Sequence, residues 1–185
     1  MKLRQKIPFW IQVILLFFII TAPSLLRFAF QRNDWQTYTD ERYGYTIEYP
    51  GHLWKRLSYA GFQGNREIHL LLYWPAGIEI THQISVGEVG MTSPTIEEVA
   101  TFAEEIIRER EGHIDKELET IFVNGKPALT RTYIYAGRRY KEVYIAEGGR
   151  GYFLRFTSMP TFYDSSVQDF NRVVTSFRTV NANSR

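Results

Sequence analysis

Three short turns dictate most of what this chain can become. Asn124-Gly125, Ala136-Gly137-Arg138 and Gly148-Gly149-Arg150-Gly151 separate four stretches of alternating or dense apolar character, at about residues 114–123, 127–135, 139–146 and 152–158. Asn-Gly is the strongest hairpin signal of the three, because both residues accept the positive φ that a two-residue turn requires. Strands joined by turns this short run antiparallel. The same period of two appears upstream. Tyr45, Ile47 and Tyr49 alternate with Thr46 and Glu48 until Pro50-Gly51 ends the run. Ile68, Leu70, Leu72 and Trp74 form a second apolar row, with Leu71 and Tyr73 on the reverse face, which marks a central strand. After Pro75-Ala76-Gly77, Ile78, Ile80, Ile84 and Val86 alternate with Glu79, Thr81, Gln83 and Ser85.

Two segments switch to helical spacing. Thr95-Ile96-Glu97-Glu98 reads as a capping box, in which the Thr95 hydroxyl accepts from the backbone and the Glu98 carboxylate reaches back. Ile96, Val99, Ala100, Ala103, Ile106 and Ile107 then hold one face, and Gly112 closes the helix. A last helix over about residues 164–176 places Val167, Phe170, Val173, Val174 and Phe177 inward. Hairpin-linked strands with separate helices predict an α+β class: an antiparallel sheet with flanking helices.

The N-terminus obeys a different pattern. Ile7 to Leu26 holds no charged residue, and 20 residues at about 1.5 Å each span roughly 30 Å, a bilayer core. Lys2, Arg4 and Lys6 precede it. The positive-inside bias keeps that end in the cytoplasm and sends the remainder across the membrane. Residues 1–30 are thus expected to be a single transmembrane anchor, residues 31–39 a linker and residues 40–185 one globular domain outside the cytoplasm, whether periplasmic, extracellular or lumenal. A cleaved signal peptide is the alternative, but its one small-residue site, Ala22-Pro23-Ser24, puts Pro23 just past the cut.

Charge divides along the same boundary. Residues 1–34 carry five basic side chains and one acid, Asp34, which leaves 17 basic against 19 acidic side chains over residues 35–185. The basic pI belongs to the membrane segment, and a slightly acidic domain argues against nucleic acid as a partner. The absence of cysteine excludes disulfides, thiolate catalysis and lipid attachment through a cysteine.

Several of these stretches resemble a known family. Tyr43-Gly44-Tyr45-Thr46-Ile47-Glu48-Tyr49-Pro50 followed by Trp54, then Val123-Asn124-Gly125-Lys126-Pro127-Ala128, and Ser176-Phe177-Arg178 after the last helix are similar to the opening, middle hairpin and closing signature of PsbP-like domains. The resemblance spans roughly residues 35–180. It implies an α/β/α sandwich shared by PsbP, DcrB-type and LpqN-type proteins, and an accessory or interaction role in place of an enzymatic one. The expectation is a membrane-anchored module docking on a membrane protein complex, with no cofactor; a carrier of small apolar or lipid ligands is the alternative, because 16% of residues are aromatic.

Searching for chemistry yields little that competes with structural roles. No serine sits in a nucleophile elbow. His52, His69, His82 and His113 have no metal-ligand spacing, and His82 falls on an apolar strand face, as a hydrogen-bonded core histidine would. Ser165-Ser166 suits a helix start. Asp115, Glu117 and Glu119 recur along one strand and could hold a hard cation, but such a row is more often a solvated face or a protected edge. The glycine run at 148–151 joins two strands, so it reads as a hairpin and not as a phosphate cradle. The strongest binding candidate is the cluster Arg138, Arg139 and Lys141 at a hairpin tip near Tyr135 and Tyr140, expected to meet an acidic partner or anionic headgroups.

Overall fold

The computed structural model describes residues 34–51, 54–63, 66–76 and 79–180. The anchor expected over residues 1–30 lies outside the described residues. Among those described, no helix is long and apolar enough to cross a membrane.

The described residues form ten strands and two helices in the order β1 (Trp35–Asp40), β2 (Tyr45–Pro50), β3 (Lys55–Gln63), β4 (Arg66–Ala76), β5 (Glu79–Val89), α1 (Ile96–Glu109), β6 (His113–Val123), β7 (Lys126–Tyr135), β8 (Arg138–Glu147), β9 (Arg150–Ser158), α2 (Pro160–Ser176) and β10 (Arg178–Thr179). Every strand pairing is antiparallel. Seven strands form the main sheet in the order β3-β4-β5-β9-β8-β7-β6, while β1, β2 and β10 make a small second sheet. Helix α1 packs on β7, β8 and β9 from one side, and α2 joins β2 in covering the other side of the main sheet. The sandwich is therefore α/β/α, with the small sheet sharing the α2 layer.

Local chemistry accounts for the joints. Both halves of the capping box form at α1: Glu98 N–H donates to the Thr95 hydroxyl at 3.2 Å, and Thr95 N–H to the Glu98 carboxylate at 2.7 Å. At the other end the left-handed residue is Glu111 (φ 59°), and Gly112 N–H donates to the Ile107 carbonyl at 2.9 Å. Asn124-Gly125, Ala136-Gly137 and Gly148-Gly149 take positive φ in pairs, the twist that matches flanking strands. Trp35–Asp40, mostly within the expected linker, pairs along β2 instead.

The α2 side of the main sheet is apolar and closed. Leu70, Leu72, Ile84, Val86, Val143, Leu154 and Phe156 meet Phe170, Val173 and Phe177, together with Tyr45, Ile47 and Trp54. Each such side chain contributes about 1.5–3 kcal/mol on burial, so this layer holds the domain together.

Candidate functional site

The α1 side of the same sheet is built differently. Strand β4 slips register between Ile68 and Leu70, so Leu70 and Leu72 face α2 while Arg66 and Ile68 face α1. Gly87 sits opposite this irregularity, where an added Cβ would lie 2.2 Å from the Glu67 carbonyl and 2.6 Å from the Phe153 ring. Any side chain there would force β4 and β9 apart.

Arg66, 1% exposed, donates two hydrogen bonds to the fully buried Glu142 carboxylate of β8, at 3.0 and 3.1 Å. The same carboxylate accepts from the Tyr144 hydroxyl at 2.7 Å and the Tyr133 hydroxyl at 3.1 Å, and Arg155 approaches to 3.9 Å. Burial alone pushes the Glu142 carboxyl up, but the charges of Arg66 and Arg155 and the bonds from Arg66 and Tyr144 outweigh it. The group is held below the usual carboxylate range. A buried pair of this kind gives a defined geometry more than it gives stability, because desolvation offsets much of the attraction. Arg66 also lies 4.6 Å from the centre of the Phe153 ring, and its Nε is buried without a partner. Nearby, Arg131 of β7, 2% exposed, donates to Glu104 of α1 at 2.6 Å and so ties the helix to the sheet.

Between the C-terminal end of α1 and the β7–β8 hairpin, the sheet leaves a cavity of about 310 Å3. Four arginines line it at graded depth: exposed Arg110, half-buried Arg138, and buried Arg155 and Arg66. Tyr133, Tyr135 and Tyr140 form an aromatic wall, in which the Tyr133 and Tyr140 rings stack at 4.8 Å and 4°. Ile106 and Ile107 add an apolar patch, with Gln83 and Thr157 as polar contacts. Among the described residues that line it there is no aspartate or glutamate. Burial raises the Tyr133 and Tyr140 phenols above the usual tyrosine value, so both are neutral at physiological pH. The helix presents its C-terminal, partially negative end here, so the positive field comes from the side chains. An aromatic-walled recess with several guanidinium groups and no lining carboxylate suits an anion.

The cluster Arg138, Arg139 and Lys141 is not brought together. The turn is only Ala136-Gly137, so Arg138 already belongs to β8 and strand alternation takes over. Arg138 joins the cavity and donates to the Thr81 carbonyl at 3.0 Å. Arg139 and Lys141 fall on the α2 side, where they bond to Asp115 (2.6 Å) and to Asn171 (2.8 Å). The carboxylate row lies on β6, an edge of the sheet that slips register twice between Ile114 and Glu119; Asp115 bonds to Arg139, and Glu117 and Glu119 line a second recess with Arg139 and Lys141. Among the described residues no cluster of three or more acidic or histidine side chains is placed to hold a metal ion.

His82 is a core histidine, 5% exposed, with Nδ1 at 2.8 Å from the Ser158 hydroxyl and Nε2 at 3.1 Å from the Ser166 hydroxyl. Ser158 donates onward to the Met159 carbonyl, so it accepts from Nδ1–H and leaves Nε2 to accept from Ser166. Helix α2 begins at Pro160, earlier than the spacing suggests, which moves Ser166 into its second turn. Ser166 and Ser158 are 2% and 0% exposed, so this serine–histidine pair is out of a substrate's reach.

Sequence reasoning passed over Arg66, Arg110, Glu142 and Arg155. One signal was present: Glu142 and Arg155 are charges of opposite sign inside strands with apolar residues on both faces. A charge that such a strand buries is almost always paired.

No family sequence model and no curated protein matches the chain. Solved structures do. The solution structure of cyanobacterial PsbP (CyanoP) from Synechocystis sp. PCC 6803 superposes with a TM-score of 0.60 at 16% identity, covering 78% of this chain and 92% of that one. The domain has the PsbP-like fold. A crystal structure from Bacteroides thetaiotaomicron VPI-5482 shares it at a TM-score of 0.52 and 11% identity, over 81% of this chain and 50% of that one. LpqN, involved in cell envelope biogenesis of Mycobacterium tuberculosis, stands at 0.39 and 8% over 80% of this chain and 92% of its own, too far to carry weight. At these identities the PsbP-like likeness is one of fold.

Proposed function

We propose that this chain is an accessory module that works by binding, held outside the cytoplasm by residues 1–30 and docking on a membrane protein complex with the cavity end of its main sheet. One observation carries the reading: Arg110 and Arg138 stand at the rim of an arginine-lined recess that has no acid among its described lining residues, on a domain with more acids than bases. The charged side chains that line the recess are all basic, and rim charges steer encounter and orientation with an acidic partner. The cyanobacterial PsbP likeness supports an accessory role, and the burial of the Ser166–His82 pair supports binding over hydrolysis. A carrier of apolar or lipid ligands fits less well, because exposed Arg110 and half-buried Arg138 would have to be desolvated against the cargo.

Affinity capture of the full-length chain from detergent-solubilised membranes tests this. Wild type should bring down a complex, and the double variant Arg110→Glu, Arg138→Glu should recover much less, with the larger difference at low salt. Equal recovery by the folded double variant would refute docking by this end. Alkaline carbonate extraction tests the anchor: the chain should stay with the membrane, and release of a form starting near Leu25 would show cleavage instead.

A further inference from the structure

The interior of the cavity has features that rim docking does not use. We infer that it binds a small free molecule joining an oxyanion group, a carboxylate or a phosphate ester, to a flat ring. This rests on the reading of the cavity end as a binding site and names what enters it. Its volume of about 310 Å3 falls at the lower end of the range for small-molecule sites. That is about ten waters' worth of space, more than a lone phosphate or a single carboxylate fills, so the occupant has a body as well as a charge.

The charge is addressed by the floor. Arg66 commits both terminal nitrogens to Glu142 yet leaves Nε buried and unpartnered, and it lines the cavity at 1% exposure. Those two bonds fix the guanidinium in place, so its position at the floor is preset. Glu142 pairs with Arg66 and also lies 3.9 Å from Arg155, and Arg110, Arg138 and Arg155 bring three further guanidinium groups to the same lining. Guanidinium forks match the planar carboxylate and the phosphate oxygens alike. The body is addressed by the walls. The parallel rings of Tyr133 and Tyr140, with Tyr135 tilted against Tyr140 at 6.3 Å, offer aromatic surface, and Ile106 and Ile107 offer an apolar one. Rings prefer such surroundings in offset or edge contact. An acidic peptide would satisfy the rim arginines but would leave the aromatic wall unused.

Calorimetric titration of the full-length chain in a non-ionic detergent separates these possibilities. The probes are 1-naphthyl phosphate, 1-naphthoate, inorganic phosphate, 1-naphthol and a hexaglutamate peptide. One of the two naphthyl anions should bind at one equivalent, at least about ten-fold tighter than inorganic phosphate or 1-naphthol. Whichever is tighter distinguishes phosphate ester from carboxylate. Arg110→Gln and Arg138→Gln should each weaken it about ten-fold without lowering the melting temperature, and Tyr140→Leu should weaken it several-fold while sparing inorganic phosphate. Naphthol binding as tightly as the anions would overturn the charge requirement, and inorganic phosphate doing so would overturn the ring. Hexaglutamate binding without the naphthyl anions would overturn this inference and leave anionic docking standing. If no anion binds at all, both readings fall.

Discussion

The two faces of the main sheet solve the burial problem in opposite ways. Toward α2, Leu70, Ile84, Leu154 and Phe156 interlock with Phe170 and Phe177 in a dry layer. Toward α1, a smaller apolar cluster around Val99, Ala103, Tyr144 and Phe153 is flanked by Arg66, Glu142, Arg131 and Arg155, and beyond it the sheet opens into the cavity. The first face pays for folding. The second spends some of that stability on fixed charges, and proteins depart from ordinary packing in this way at sites of function.

The largest expected effect tests the closed face. Phe170→Ala should cost about 3–5 kcal/mol, the range for a fully buried aromatic, read from urea unfolding. A loss below about 1 kcal/mol would mean that the α2 layer is not the one that holds the fold.

Next comes the charged face. Glu142→Leu alone strands Arg66 and should cost about 3 kcal/mol or more, whereas Arg66→Met with Glu142→Leu should return close to wild-type stability. The double variant should nonetheless lose the anion site. If it were as unstable as the single change, the pair would be structural and the contrast between the faces would weaken.

Acid should act on the faces in two separate windows. Burial holds His69 at about 4 and lowers His82, so both stay neutral in the folded chain while the unfolded chain takes up protons near pH 6.5. Their contribution is fully present above pH 6.5 and is lost as pH falls from there through each folded value, by at most about 1.4 kcal/mol per pH unit for each histidine. Both rings lie on the small-sheet and α2 side, His69 against Tyr43 and Tyr45, His82 against Phe156. Glu142, held below the usual range, acts lower: its contribution is present above the ordinary glutamate pKa and is lost as pH falls through the folded value. Melting temperatures from pH 7 to 5 should therefore drop in wild type and drop less in His82→Gln. An equal drop in both would assign the effect elsewhere.

The smallest effect on stability is at the rim. Arg110→Gln and Arg138→Gln should each stay within about 0.5 kcal/mol of wild type.

Most of the closed face was legible in the chain, because alternation there is regular and each hairpin carries its own glycine. The strands that escaped notice are β1, β3 and β10. Trp35–Asp40 is mostly polar and covered on one side only, β3 is an edge whose described side chains at its start are exposed, and β10 has two residues. The early start of α2 left no cap to read, since Met159 makes no side-chain cap bond. The α1 face was hidden for a deeper reason. Arg66 and Glu142 are 76 residues apart, and the register slip in β4 reverses which side chains face the helix. A pattern of alternation cannot show where it changes phase, so the cavity was visible only as scattered charges. The Arg138, Arg139 and Lys141 cluster was visible, but a turn one residue shorter than expected distributed it over both faces.

Hydrogen exchange of the full-length chain, with and without 1-naphthyl phosphate, tests most directly that binding belongs to the α1 face. Exchange should slow at the end of α1 around Ile107–Arg110, across Tyr133–Tyr140 and at Arg155–Thr157, and stay unchanged over Val167–Val174 of α2. Protection confined to α2, with none around the cavity, would contradict it.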